Sequence, residues 1–393
     1  MDLERARYIA SGRGRAALAA LSPDLSSLGP VQLSARLRGA FPPFEAAALA
    51  EQISLAAKAR ERFGEDLGLL LTPDGLEMMT HPAVARRRAG RLAALGSPVV
   101  DLTCGLGGDL LQCTALGLSA VGLERDPVTA TLAAANLPRA HVIRGIAESP
   151  PIQIAGSSLF IDPSRRSAAG RRFDPAAFSP PWDVALRLLD QARTGAMKAP
   201  PGIDHRHIPP HGEVEFLQLG RSMREATVWV GEGATPGLRR AVLLPADVTL
   251  DSSAPEAPAT CVPVGSFVYD PESCVTRAGL VRHLAARLGA HMLDPQVAYL
   301  TSGVPAFDPL CATFEVLDVL SFSIARLKSR LRERTWAPDE VRRRAFPVEP
   351  AELQRLIGRL PGEPVTLLCT TLDARRTVIV ARRRKQIAQG DRQ

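Results

Sequence analysis

Up to about residue 95 the apolar positions of the chain recur at helical spacing. Ser34–Arg38 and Phe44–Phe63 carry apolar residues three and four apart, and Pro42-Pro43 separates the two runs. Thr72-Pro73-Asp74 reads as a helix start, with Thr as the cap, Pro at the first helical position and an acid in the first turn. Pro82 opens a further, arginine-rich helix that runs through Ala94. From Pro98 the period changes. Short apolar runs at Val99–Asp101, Ser119–Leu123, His141–Arg144 and Ser158–Asp162 predict strands, and Asp109–Leu116 and Pro127–Asn136 predict helices between them. Such a succession predicts an α/β fold with a parallel sheet covered on both faces. Glu213–Leu219, Ala226–Val230 and Ala241–Leu244 are expected as the last strands of that sheet, some of them antiparallel.

After a polar, proline-bearing stretch that begins at Asp251, the pattern changes again near Tyr269. Thr276–Leu288, Ile324–Glu333 and Pro350–Arg359 predict helices, and Val365–Thr370 with Thr377–Val380 a terminal hairpin. The expected organisation is a helical N-terminal segment over 1–95, an α/β domain over 96–268 and a small α+β domain over 269–393.

Composition narrows the class. With 393 residues, 46% hydrophobic and 23% charged, the chain reads as globular. It holds no apolar run long enough to span a bilayer, so no membrane partner is expected. Its N-terminus lacks the shape of a secretory signal. Six scattered cysteines without a C-x-x-C pair suit a reducing compartment, and a cytoplasmic location is expected. Charge is unevenly placed. Residues 271–393 carry 20 Lys and Arg against 13 Asp and Glu, which accounts for the whole net charge of +7. A basic C-terminal part on a neutral body points to a polyanion partner.

The chemistry is concentrated at Val99-Val-Asp-Leu-Thr-Cys-Gly-Leu-Gly-Gly-Asp109. A β-branched run ends in Asp101 and then turns through Gly105, Gly107 and Gly108 into a helix. Such a turn lets a ligand touch bare backbone, and the helix offers its unpaired N–H groups. Glu124 ends the next strand. A glycine turn after one strand and a carboxylate after the next are the wiring of a Rossmann-like nucleoside site. The glycine spacing is not that of a dinucleotide fingerprint, and Asp101 and Asp109 around the turn suit a cationic ligand better than a pyrophosphate. At the end of the fourth strand stands Asp162-Pro163-Ser164-Arg165-Arg166. This places Asp162 at the carboxyl edge where open α/β sheets bind ligands, with Arg165 and Arg166 available to clamp an anion.

Together these residues resemble the class I S-adenosylmethionine-dependent methyltransferases. The Cys104-Gly-Leu-Gly-Gly turn is similar to that of the RNA cap guanine-N2 (trimethylguanosine synthase-like) enzymes, and Thr72-Pro73-Asp74 resembles their Thr-Pro-Glu segment. Asp162-Pro-Ser-Arg-Arg166, Glu213-Val-Glu-Phe and Tyr269-Asp-Pro-Glu-Ser-Cys resemble bacterial methyltransferases with a THUMP-like C-terminal domain, and the likeness runs from about Leu71 to Arg384. It implies a Rossmann-like sheet, S-adenosylmethionine as cofactor and RNA as substrate. Asp101 and the Gly105, Gly107 and Gly108 backbone would hold the methionyl end. Glu124 would take the ribose hydroxyls. Thr72, Thr103, Asp109, Ile146 and Ala147 would complete the cofactor site. Asp162, Pro163 and Arg165 would face the methyl acceptor, and Arg165 and Arg166 would contact the substrate.

The chain departs from the family pattern in two places. Ser164 and Arg165 stand where a stacking aromatic is usual, and Ile146 stands where an acid meets the adenine, with Glu148 as its substitute. The alternatives are a methyltransferase of a small molecule or a protein, and a non-catalytic RNA-binding protein with a degenerate cofactor pocket. Ser179-Pro180-Pro181-Trp182 reads as an ordinary helix entry. The His205, His207 and His211 loop lacks a second cluster, and no metal is expected. The runs Arg86–Arg88 and Arg382–Arg384 read as solvated faces, with phosphate contacts as the alternative.

Overall fold

In the computed structural model, which describes residues 1–21, 25, 28–165 and 177–385, the chain divides into two compact units. The first comprises residues 1–213 and 225–237, the second 214–224 and 238 onward.

Six helices open the first unit: α1 (Leu3–Ala10), α2 (Gly12–Ala20), α3 (Pro30–Arg38), α4 (Pro43–Phe63), α5 (Pro73–Met78) and α6 (Pro82–Ala93). Proline at the first helical position starts four of them, where the missing N–H costs nothing. Thr72 caps α5, its hydroxyl accepting from Gly75 N at 3.0 Å. The alternating part follows as β1 (Val99–Asp101), α7 (Gly108–Ala115), β2 (Ala120–Glu124), α8 (Pro127–Asn136), β3 (His141–Arg144), β4 (Ser158–Ile161), a two-stranded ribbon β5 (Ser164–Arg165) and β6 (Phe178–Ser179), α9 (Trp182–Leu189) and β7 (Thr194–Ala199). Then come β8 (Glu213–Leu219) and β9 (Ser222–Gly231).

Within the first unit the strands lie in the order β9-β7-β4-β1-β2-β3. All neighbours are parallel except β7 and β9. The chain leaves β1 towards β2 on one side and reaches β4 on the other. The topological switch point is therefore at the carboxyl ends of β1 and β4, where such sheets bind ligands. Leu92, Val99, Leu110, Phe160, Ala196 and Trp229 form a core between sheet and helices. A second cluster, with Leu49, Leu71 and Leu76, joins the N-terminal helices to Leu106 of the glycine turn and Leu132 of α8. The helical segment thus packs directly on the turn.

The second unit continues with β10 (Arg239–Leu244), β11 (Val248–Asp251), β12 (Phe267–Pro271), α10 (Ser273–Arg277), α11 (Val281–Leu288), β13 (His291–Asp294), β14 (Val297–Ser302), β15 (Cys311–Ser321), α12 (Ile324–Glu333), β16 (Trp336–Arg343), α13 (Pro350–Ile357), β17 (Glu363–Leu372) and β18 (Arg375–Arg384). Seven strands form a sheet in the order β13-β14-β12-β15-β18-β17-β16, antiparallel except for β16 on β17. Leu327 and Leu331 of α12 and Leu353 and Ile357 of α13 bury against Val365, Leu367, Val378 and Val380 of this sheet.

The α/β architecture and the small C-terminal sheet domain are as the pattern predicts, and α8, β3, β8 and α12 fall at the expected bounds. One helix is corrected. The expected Thr276–Leu288 helix is two, α10 and α11, because Gly279 adopts a left-handed φ of 67° between them.

Candidate active site

The glycine turn is built as its sequence requires. Gly105 and Gly107 have φ of 55° and 90°, a region that favours glycine. Gly107 caps α7, and a Cβ there would come within 2.6 Å of the Leu137 side chain. A Cβ on Gly108 would meet Met79 at 3.2 Å. The turn is fastened to the next strand by Glu124. One of its carboxylate oxygens accepts from Gly105 N at 3.1 Å and the other from Asp126 N at 2.8 Å. Each oxygen keeps a lone pair for a hydroxyl, since a carboxylate offers about four acceptor positions. Asp126 caps α8, accepting from Val128 N at 2.9 Å.

Asp101 ends β1 at 1% exposure. Its carboxylate accepts from Thr103 N at 2.9 Å. Burial pushes its carboxyl well above the usual carboxylate range, and the nearby Asp109 adds to the effect. The Thr103 hydroxyl accepts from Asp162 N at 2.7 Å, so it ties the glycine turn to the end of β4.

At the end of β4, Asp162 meets Lys198 of β7, with Lys198 Nζ 2.7 Å from Asp162 Oδ2 and 3.4 Å from Thr80 Oγ1. Removal from water raises the Asp162 carboxyl, and Lys198 draws it partly back. Burial alone would lower the Lys198 ammonium, but Asp162 and Glu225 hold it above its usual range, so it stays charged. Behind this pair lies Arg88 of α6, only 4% exposed. Its guanidinium donates to Asp109 of α7 and to Glu225 of β9, and lies 4.1 Å from the ring centroid of Phe160. Burial opposes its charge, and the two carboxylates outweigh that penalty.

Asp101, Thr103, Asp109, Glu124, Asp162, Lys198 and Thr80 face a cleft of about 950 Å³, within the range of small-molecule sites, while Arg88 and Glu225 lie behind its wall. Of the residues expected from sequence, Thr72, Asp101, Thr103, Gly105, Gly108, Asp109, Glu124, Ala147 and Asp162 line it together. Gly107 and Pro163 do not. Gly107 shapes the turn from behind, and Pro163 is buried beside the ribbon. Ile146 is a correction: it is 53% exposed and outside the lining. The turn closed by Ser149 N on Ile146 O carries Ala147 and Glu148 to the cleft instead. Arg165 contributes backbone to the ribbon. Its side chain and the whole of Arg166 lie outside the described residues.

Two further readings change. The ribbon pairs Ser164 with Ser179, so the Ser179-Pro180 segment, read as a mere helix entry, opens α9 and also lines the cleft. The Arg86–Arg88 run is not a uniform solvated face. The helical period turns Arg88 into the core while Arg86 stays exposed. Sequence reasoning also missed Lys198, Thr80 and Glu225. The available signal was the Glu225-Ala-Thr-Val-Trp229 run, whose acid stands immediately before the expected apolar strand Ala226–Val230 and in fact lies within β9.

The donor set fits S-adenosylmethionine. The turn offers backbone N–H groups, and Glu124 offers acceptors at the end of the neighbouring strand. Asp101, Asp109, Asp162 and Glu225 outnumber Arg88 and Lys198, leaving a local surplus of carboxylate. A buried acid held out of its charged state is relieved by an incoming cation, and the cofactor brings an ammonium and a sulfonium.

Comparison with known proteins bears on each unit. Residues 311–383 match the THUMP domain-like family. The chain is 33% identical over 346 residues to an uncharacterized S-adenosylmethionine-dependent methyltransferase of Mycobacterium tuberculosis, covering 83% of this chain and 93% of that protein. In fold it is similar to a crystal structure of a methyltransferase candidate from Porphyromonas gingivalis W83, with a TM-score of 0.76 and 23% identity, covering 98% of this chain and 100% of the other. The glycine turn, the Glu124 carboxylate and the long match to a relative therefore agree: the chain belongs to the S-adenosylmethionine-dependent methyltransferases and carries a THUMP-like domain at its C-terminal end.

Proposed function

We propose that this methyltransferase acts on RNA, with an exocyclic base amine as acceptor and guanine N2 as the first candidate. The observation that carries the reading is the placement of charge. The excess of seven positive charges lies in residues 271–393. On α12 and just beyond it Arg326, Arg332 and Arg334 are exposed and have no ion pair among the described residues. The same holds for Arg355, Arg375 and Arg376 elsewhere in the second unit. Unpaired arginines on one module are the footprint of phosphate binding. The THUMP-like match falls on this same module.

In this reading the cofactor supplies an electrophilic methyl group on a sulfonium. The chain's own residues bind and align. Glu124 takes the ribose hydroxyls, and Asp101 with the Gly105–Gly108 backbone receives the methionyl end. Asp162 accepts a hydrogen bond from the acceptor amine and so points the nitrogen lone pair. Thr103 fixes the backbone of Asp162 against the turn with its hydroxyl and donates its own backbone N–H to Asp101, so donor site and acceptor site are held by one residue. In-line displacement needs alignment more than acid–base help, which suits a site of few, well-fixed groups.

Radiolabelled methyl transfer from S-adenosylmethionine to total RNA of a strain lacking the gene tests the reading, with nucleoside mass spectrometry to name the base. Label in a methylated amine nucleoside is the expected result. Label only in protein or small molecules, with cofactor binding intact, overturns the RNA reading.

A further inference from the structure

We propose that Lys198 and Asp162 form a donor–acceptor pair that reads the edge of the methyl acceptor, and that the acceptor is therefore a planar amine flanked by a ring nitrogen. This rests on the RNA reading above and narrows it. The pairing of β4 with β7 places Ile161 opposite Met197, so the next residues, Asp162 just past the end of β4 and Lys198 next to the last residue of β7, stand side by side at the carboxyl ends of two parallel strands. Both line the cleft, and both keep part of their surface open, with side chains 29% and 22% exposed. Lys198 Nζ has three protons, of which Asp162 Oδ2 and Thr80 Oγ1 face two. Asp162 Oδ1 accepts no hydrogen bond among the described residues. The pair thus shows the cleft one donor beside one acceptor.

That pattern selects among acceptors. An amine next to a ring nitrogen, as in adenine N6 with N1, cytosine N4 with N3 or guanine N2 with N3, offers the complementary donor and acceptor side by side. A protein lysine brings only donors and a positive charge against the Lys198 ammonium. A carboxylate brings only acceptors against Asp162. Either would set the cleft-facing Lys198 proton or Asp162 Oδ1 against a group of its own kind, which is the strong form of discrimination. In the reaction the nitrogen–methyl bond forms as the methyl–sulfur bond breaks, and the cofactor leaves as a neutral thioether. The nitrogen then sheds one proton to Asp162 Oδ1, which passes it to water. Lys198 meanwhile holds the ring nitrogen and favours the ionised form of Asp162 against its burial.

The test uses the full chain as wild type, Lys198→Met and Lys198→Arg, with calorimetry for S-adenosylmethionine to show that each variant is folded. Substrates are a short RNA holding the base labelled in total RNA, and the same RNA with the neighbouring ring nitrogen replaced by C–H. Lys198→Met is expected to lower kcat/KM by on the order of 100-fold while cofactor affinity stays within about threefold, with partial recovery in Lys198→Arg. The wild type is expected to lose a similar factor on the C–H analogue, and Lys198→Met to lose little more. Wild-type rates in Lys198→Met, or undiminished discrimination against the analogue, overturn the role of Lys198 and leave the RNA reading standing. Absence of any label in RNA with wild type overturns the RNA reading, and this inference with it.

Discussion

At the end of β1 a single carboxyl is asked to be charged in a place that disfavours charge. Asp101 is buried, with Asp109 and Asp162 nearby and Arg88 as the opposing cation. Its folded pKa is raised, so the folded chain holds this proton at a pH where the unfolded chain has released it. Its contribution to stability is therefore present below the unfolded carboxylate range and is lost as pH rises through the raised folded value. Asp101→Asn keeps the oxygen that accepts from Thr103 N and removes the ionisation. Thermal denaturation without ligand at neutral pH is expected to show a higher midpoint for this variant. Cofactor affinity moves the other way, falling about tenfold to a hundredfold, the range for a hydrogen bond to a charged group. Titration by calorimetry is expected to show wild-type affinity rising with pH and the variant nearly flat. Asp101, Glu124 and Asp162 were legible in the sequence because each ends a β-rich run next to a glycine turn or a proline. Arg88 was not, because three arginines in a row hide the one that the helical period turns inward.

Between elements, Arg88 is the staple. It joins α6, α7 and β9 through Asp109 and Glu225 and covers Phe160 of β4. Arg88→Met would leave Glu225, 3% exposed, buried without this cation. The expected cost is about 3–5 kcal/mol, read from the urea midpoint. A cost below about 1 kcal/mol would mean that the network is incidental to the fold. Strand β7 shows why Lys198 escaped the sequence reading. Thr194-Gly-Ala-Met-Lys-Ala199 has a single β-branched residue and no alternation, because the strand is covered on both faces and flanked on both sides. A strand with no pattern of its own hides the residue it carries. Elements with local signals behaved otherwise: Asp126-Pro127 fixed the start of α8, whereas α13 ends at Ile357, before Gly358, two residues short of the expected Arg359.

For the whole molecule the separable quantities are grip and chemistry. The acids proposed to hold the cofactor belong to the first unit, and the exposed arginines on and just beyond α12 to the second. Replacing Arg326, Arg332 and Arg334 together by Ala is expected to weaken RNA binding. The slope of log affinity against log salt should fall by about 0.7–0.9 for each phosphate that the variant no longer neutralises. Cofactor affinity should be unchanged. An unaltered salt slope, measured by filter binding, would remove these arginines from the RNA surface. The composition showed that the C-terminal part is basic, but not which cations stay unpaired, since pairing depends on contacts such as Arg384 with Glu315 across two strands. The surplus of carboxylates around the glycine turn also bears on turnover. Transfer of the methyl group converts a sulfonium cation into an uncharged thioether. On the proposed assignment, acids that draw the fresh donor in would hold the spent one less firmly, so product release would be favoured by the same charges that load the enzyme.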